Sequence, residues 1–289
     1  MRKFRFGAGL RLAEDGRDWV DKCRRAQELG YDAITVPDHL GAGRLAPFPA
    51  LTSAAAATDR MRVGPLVLNA PFYNPALLAR EVHTTNMLTG GRLELGLGAG
   101  HMRSEFDDAG LPWWPAGQRI EYLERTIAEL GDRLGAQQPP LLIAGNSDGV
   151  LSLAAKHADI VGFAGLRHAP GHQPGTFHLA SADELAERVG FFAAQAGARA
   201  EVIERNMLIQ HVEVTDDPRA AIERWIADIP EVNLDIDQLL RAPHLLIGTV
   251  EQIIEQVRQR RERYGFSYVT VFEHCMDEFA PVVEALAGR

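Results

Sequence analysis

Residues 62–101 read RVGPLVLNAPFYNPALLAREVHTTNMLTGGRLELGLGAGH. The short apolar run at 63–68 predicts a strand. Asn74 and Pro75 then supply an N-cap and a first-turn proline for a helix that stops at Gly90-Gly91, and 93–97 is a second strand. Two buried strands joined by a crossover helix form a βαβ unit, so the strands run parallel and helices cover the sheet. Ligands of such sheets bind beyond the carboxyl ends of the strands. Those ends here are Asn69-Ala70-Pro71 and Gly98-Ala99-Gly100-His101, small or polar residues that let a flat ligand approach the backbone.

The alternation continues on both sides of this unit. Strands are predicted at 4–10, 33–36, 141–144, 159–164, 207–214 and 267–272, with helices at 17–29, 49–58, around 120–134, from 147 to about His157, from Ser181, from Asp217-Pro218, from Thr249 and over 279–286. Ser181 with Glu184, and Thr249 with Gln252, have the spacing of capping boxes. Residues 102–117 and 165–180 read as loops, the first a candidate substrate lid, and 231–243 as irregular chain. Eight strands, each followed by a helix, predict a closed (β/α)8 barrel, a TIM barrel, in a single domain over 1–289. The competing reading is an open doubly wound sheet with a small second domain, for which no linker or repeat speaks.

Composition bounds the function. With 289 residues, 46% of them apolar and 24% charged, the chain buries a large core. A net charge of −9 argues against nucleic acid, and the arginine cluster at 258–263 lies beside Glu255 and Glu262 on an amphipathic helix, as a solvated face does. Cys23 and Cys275 are far apart with no CxxC, the pattern of reduced core thiols. No apolar stretch approaches the ~20 residues of a membrane span. The expected setting is cytoplasmic.

The chemistry is sought at the strand ends. After strand two, Asp38-His39 places an imidazole where it can exchange a proton near neutral pH, with an acid beside it; the structural alternative is a capping Asp38 and a His39 packed in the loop. The Asn69-Ala70-Pro71 end has no ionisable group and offers backbone to a planar ring, or is a plain turn. The GLGAG at 96–100 opens no helix and belongs to the fourth unit, so it suits ribityl or phosphate contact better than a dinucleotide. Gly145-Asn146-Ser147 precedes a helix whose free N–H groups and dipole favour an anion; alternatively these residues cap the helix. His168, His172 and His178 share a loop without a metal-ligand motif, and there is no GxSxG elbow.

Taken together, VPDH at 36–39, VLNAPFYNPALLAREVHTTNMLTGGRLELGLGAGHMRSEF at 67–106, PLLIAGNS at 140–147 and IGTVEQIIEQV at 247–257 resemble the bacterial luciferase-like monooxygenase superfamily, most strongly its members that use the deazaflavin coenzyme F420. The resemblance implies a barrel that binds a flavin-type cofactor across its C-terminal face. Asp38 and His39 would lie near the reactive ring. Leu68, Asn69 and Ala70 would support it through a bulge with a non-prolyl cis peptide. Gly98, Ala99, Gly100 and His101, with Ala144, Gly145, Asn146 and Ser147, would line the ribityl and phosphate. The implied reaction is hydride transfer between the deazaflavin and a small organic substrate, with catalytic roles for His39 and Asp38. An FMN-dependent two-component monooxygenase and a non-catalytic cofactor-binding subunit are the rivals, and a homodimer through the helices after strands two and three is the implied assembly.

Overall fold

The computed structural model describes residues 2–169, 171, 172, 174–227, 229 and 232–289. Glu231, where the sequence reading begins its irregular stretch, lies outside them, as do Pro170 and Gln173 of the 165–180 loop. The first half runs β1 (Arg5–Gly9), α1 (Gly16–Glu28), β2 (Ala33–Val36), α2 (Pro47–Ala57), β3 (Arg62–Pro65), β4 (Leu68–Asn69), α3 (Pro75–Leu88), β5 (Leu95–Gly98), α4 (Arg103–Asp108), α5 (Ala116–Leu134) and β6 (Leu141–Ala144). The second half runs α6 (Asp148–His157), β7 (Ile160–Phe163), β8 (Leu166–His168), β9 (Phe177–Leu179), α7 (Ala182–Ala196), β10 (Glu204–Leu208), β11 (His211–Val214), α8 (Pro218–Ala227), α9 (Ile236–Leu240), β12 (Leu245–Gly248), α10 (Val250–Tyr264), β13 (Phe266–Phe272) and α11 (Met276–Leu286).

Nine strands form one parallel sheet in the order β3-β2-β1-β13-β10-β7-β6-β5-β4. β3 and β4 are one barrel strand broken at the cis Leu66–Val67 bond, and a parallel bridge from Val63 to Leu93 carries β3 round to the segment leading into β5. The sheet thus comes round on itself with eight barrel positions, as the alternation predicts. The cis bond falls at Leu66–Val67, ahead of the 68–70 segment where the resemblance implies it.

Local chemistry explains the helices. Asp15 accepts from the amides of Arg17 and Asp18 to start α1, Asn74 caps α3 ahead of Pro75, and both predicted capping boxes form, at Ser181/Glu184 and Thr249/Gln252. The apolar stripe Leu123, Ile127, Leu130 and Leu134 of α5 is buried.

Four expectations need correction. The seventh strand is 204–208 and not 207–214: Gln210 N–H bonds the His244 carbonyl, and β11 leaves the barrel to pair with β12 in a separate two-stranded sheet. β12 was hidden because four residues flanked by Pro243 and a helix cap carry no periodicity. The 102–117 loop contains α4, and the 165–180 loop contains the antiparallel pair β8–β9. The arginine cluster at 258–263 is solvated only in part. Arg260 donates to the Pro243 and Leu245 carbonyls at 2.6 and 2.8 Å, and Arg261 lies 3.7 Å from the centre of the Phe4 ring.

Inside the barrel, Ala33, Leu142, Ile160 and Tyr268 converge from four strands around the sheet, with Leu66, Val67 and Ala144 packed on them. Below this layer, at the strands' amino ends, Arg5 pairs with Glu94 at 2.8 Å and Glu204 at 2.6 Å, Arg62 pairs with Glu94 at 2.6 Å, and the Arg5 guanidinium lies 3.8 Å from the Tyr268 ring centre. A charge-paired plug closes this end, leaving the carboxyl end for chemistry. Cys23 and Cys275 are buried free thiols, as expected.

Candidate active site

Asp38 and His39 follow β2 and turn away from each other. The buried Asp38 carboxylate accepts the Asn69 amide at 2.9 Å and the Tyr73 hydroxyl, tying strand two to strand three. Burial pushes the Asp38 carboxyl up, against the opposing pull of the Asn69 N–H, the Tyr73 hydroxyl and the His39 charge. The acid bonded to His39 is Glu105, on α4 and 66 residues further along: His39 Nδ1 lies 2.8 Å from Glu105 Oε1. Glu105 is 7% exposed and His39 is half-buried. This contact engages Nδ1 of the ring and leaves Nε2 with no hydrogen-bond partner among the described residues. Sequence reasoning passed over Glu105 and Tyr73, because nothing local marks either as a partner of residues 66 and 35 positions away. The available signal for Glu105 was a carboxylate at a position where the chain turns inward past GLGAGH.

His101 stands edge-on between His39 and Phe177, with ring centres at 5.5 and 5.1 Å. Burial, then the His39 and Arg119 charges, lowers the His101 imidazole from its ordinary value, a shift that the residue's exposed surface keeps modest. Phe177 belongs to β9, so the β8–β9 hairpin reaches over the strand-four end, and the Asn146 side chain ties it down through the Leu166 carbonyl.

At strand three, Leu68 and Ala70 are fully buried in the main core. Neither residue has exposed surface, whereas Leu66 and Val67 are partly buried and pack on the barrel-interior layer. Asn69 is buried, and its Oδ1 has no hydrogen-bond partner among the described residues. The glycines of strand four serve the chain's own packing first. A Cβ on Gly98 would lie 2.8 Å from Val67 Cγ2, and one on Gly100, whose φ is +77°, only 2.3 Å from Asn69 Oδ1. Ala99 and Gly100 remain partly open to the mouth.

At strand five, Ala144, Gly145 and Asn146 are half-buried and Ser147 is exposed. Ser147 caps α6, its Oγ accepting from the Val150 amide at 3.4 Å. Asp148 points to Arg188 of α7 at 2.5 Å, and the same guanidinium reaches the Asn146 carbonyl at 3.3 Å. The same guanidinium is also held by the Glu187 carboxylate, so two acids share it and the corner carries no spare positive charge.

These residues fit a flavin-type cofactor. The partnerless Asn69 Oδ1, the open backbone at Ala99 and Gly100, and the N-terminus of α6 follow one another along adjacent strand ends, from a ring-sized environment to a helix start.

A segment of 123 residues is 36% identical to the F420-dependent glucose-6-phosphate dehydrogenase of Kribbella flavida, and one of 118 residues is 31% identical to the oxygenase component of the flavin-dependent trigonelline monooxygenase of Acinetobacter baylyi. These cover 40% and 39% of this chain, and only 37% and 33% of the relatives' own length. The fold superposes with a TM-score of 0.75 on an F420-dependent secondary alcohol dehydrogenase solved with an F420-acetone adduct, at 17% identity and 99% coverage of both chains. The luciferase-like monooxygenase model matches residues 2–268, and the chain belongs to that family.

Proposed function

We propose that the protein is an oxidoreductase that binds coenzyme F420 across the carboxyl ends of barrel strands two to five and acts on a small organic substrate. The observation that carries this reading is the His39–Glu105 pair at 2.8 Å, next to His101 and the strand ends that line the mouth. When bound, the deazaflavin supplies the hydride-transfer chemistry. The chain's own task is to position substrate and cofactor and to handle one proton. Glu105 holds the imidazole through Nδ1, so that His39 Nε2 takes up or delivers that proton. Asp38 works one step back, fixing the Asn69 amide and with it the backbone at Leu68, Asn69 and Ala70 against which the ring would rest. Ala99, Gly100 and His101 flank the next strand end. Gly145, Asn146 and Ser147, at the start of α6, would receive the anionic tail, with Gly98 and Ala144 setting the spacing beneath.

Oxygen chemistry on FMN is the second reading, favoured by the family's breadth and by the similarity to the trigonelline monooxygenase component. The deciding experiment titrates the purified protein with F420 and FMN in parallel at equal salt, following fluorescence quenching. F420 is expected to bind at least about tenfold more tightly. Tighter FMN binding would move the assignment to the monooxygenase class, and binding of neither would leave a non-catalytic subunit.

The proposal includes a single domain and a homodimer through α2 and α3. Leu77, Met87 and Leu88 of α3 are 53%, 62% and 60% exposed, an apolar face in keeping with subunit contact. A monomer mass by light scattering would reject it. Two buried free thiols fit a reducing, cytoplasmic setting. Among the described residues, no helix is long and apolar enough to cross a membrane.

A further inference from the structure

The two ends of β1 carry arginines in matched positions. Alternation turns Arg5, Gly7 and Gly9 inward: Arg5 stacks on Tyr268, a Cβ on Gly7 would touch Thr270 and Tyr268, and one on Gly9 would lie 3.6 Å from Thr35 Oγ1 and 3.8 Å from Phe272. Arg11 continues this face beyond the strand, and its guanidinium lies 4.6 Å from the centre of the Phe272 ring. Arg5 is met by two glutamates. Arg11 is met by none: among the described residues its guanidinium has no ion pair, and its buried Nε has no hydrogen-bond partner.

The surroundings define what would complete it. Phe272 is an aromatic shelf, with His274 stacked on it at 5.9 Å and 12°. His211 stands nearby, stacked on Trp225 and bonded to Glu213 at 3.3 Å, and its charge and that of Arg11 both act on His274. The carboxylates of this corner are already engaged. Glu273 accepts the Arg11 backbone amide at 2.8 Å and faces the Lys22 charge, and Glu213 is held by His211 and by Arg224 at 2.6 Å. Arg11 lies two residues past β1 and His39 three past β2, on neighbouring strands joined by the Leu10 amide to the Thr35 carbonyl.

We propose that Arg11, over the Phe272 shelf, is a substrate-anchoring residue that binds the carboxylate or phosphate of a small organic anion, setting its reactive carbon toward His39. A planar guanidinium with unused donors recognises such a group by paired hydrogen bonds, and the ring beneath takes the carbon skeleton. The anchor lies on the side of the mouth formed by β1 and β13, opposite the strand-five corner proposed for the cofactor's own anionic tail. This rests on the cofactor reading above and adds the substrate class to it.

The test is calorimetric titration of the F420-saturated protein with benzoate, inorganic phosphate and neutral benzamide at constant ionic strength. Benzoate or phosphate is expected to bind and benzamide to bind at least about tenfold more weakly. Arg11→Met should weaken anion binding about tenfold while F420 affinity, read by quenching, is unchanged. Arg11→Lys, which keeps the charge and loses the fork, should fall between and stands in if the methionine variant does not fold. No anion binding to F420-loaded wild type, or a loss below about twofold in both variants, overturns the anchor and leaves the cofactor assignment standing. Arg11-dependent anion binding by a protein that fails to bind F420 does the reverse.

Discussion

The amino and carboxyl ends of the barrel use the same residue types to opposite ends. At the base, Arg5 and Arg62 are matched by Glu94 and Glu204 around Tyr268, with every charge paired at 2.6–2.8 Å. At the mouth, among the described residues, Arg11 over Phe272 has no counter-ion, Asn69 Oδ1 has no donor, and the His39–Glu105 pair leaves a ring nitrogen free. Buried polar groups left without partners cost stability. The base is therefore the half that stabilises the fold, and the mouth is the half where interactions remain to be completed by ligands.

The largest expected effect tests the mouth. His39→Ala should lower turnover about thousandfold while leaving the F420 dissociation constant within about threefold. A parallel loss of cofactor binding would show that His39 holds the ring and does not move a proton. At the base, Arg5→Met leaves the buried Glu204 without its cation and the buried Glu94 with Arg62 alone, and should cost about 3 kcal/mol in urea unfolding. Arg11→Met, with no carboxylate to strand, should change stability by no more than about 0.5 kcal/mol. Similar costs at the two positions would erase the contrast between the ends.

Gly100→Ala probes the join between the two functions of the glycine run. The added methyl would meet Asn69 Oδ1 at 2.3 Å on a backbone with φ +77°, so a loss of about 2 kcal/mol is expected together with weaker F420 binding. Undiminished cofactor affinity in this variant would remove strands three and four from the ring site.

The smallest effect is on pH. His244 is fully buried, donates through Nδ1 to the Leu208 carbonyl at 2.8 Å, and is held down to about 4 by burial. Its folded pKa lies below the unfolded value, so the unfolded chain binds the proton first. Stability is full above about pH 6.5 and falls toward pH 4 by about 1 kcal/mol per pH unit. Asp38, pushed up by burial, acts in the opposite direction, gaining stability as pH falls. The contribution of His244 is thus the difference in acid sensitivity between wild type and His244→Asn, and equal slopes in the two proteins would refute it.

The barrel, and the end of it at which the candidate site is sought, were legible in the sequence because both rest on local signals. Strand and helix periods, Asn74-Pro75 and the Ser181 and Thr249 boxes place the elements, and parallel strands send the ligand to their carboxyl ends. Asp38, His39 and the ends of strands three to five follow from that alone. What only the tertiary structure decided is pairing. The acid on His39 is Glu105 and not Asp38, Gly98 and Gly100 make room for Val67 and Asn69, the 204–214 segment divides between the barrel and β12, and Arg11 lacks the glutamates that Arg5 has. Each depends on groups brought together from distant parts of the chain. Residue type and period specify which way a side chain faces, whereas the partner it meets is set by the packing of the closed barrel.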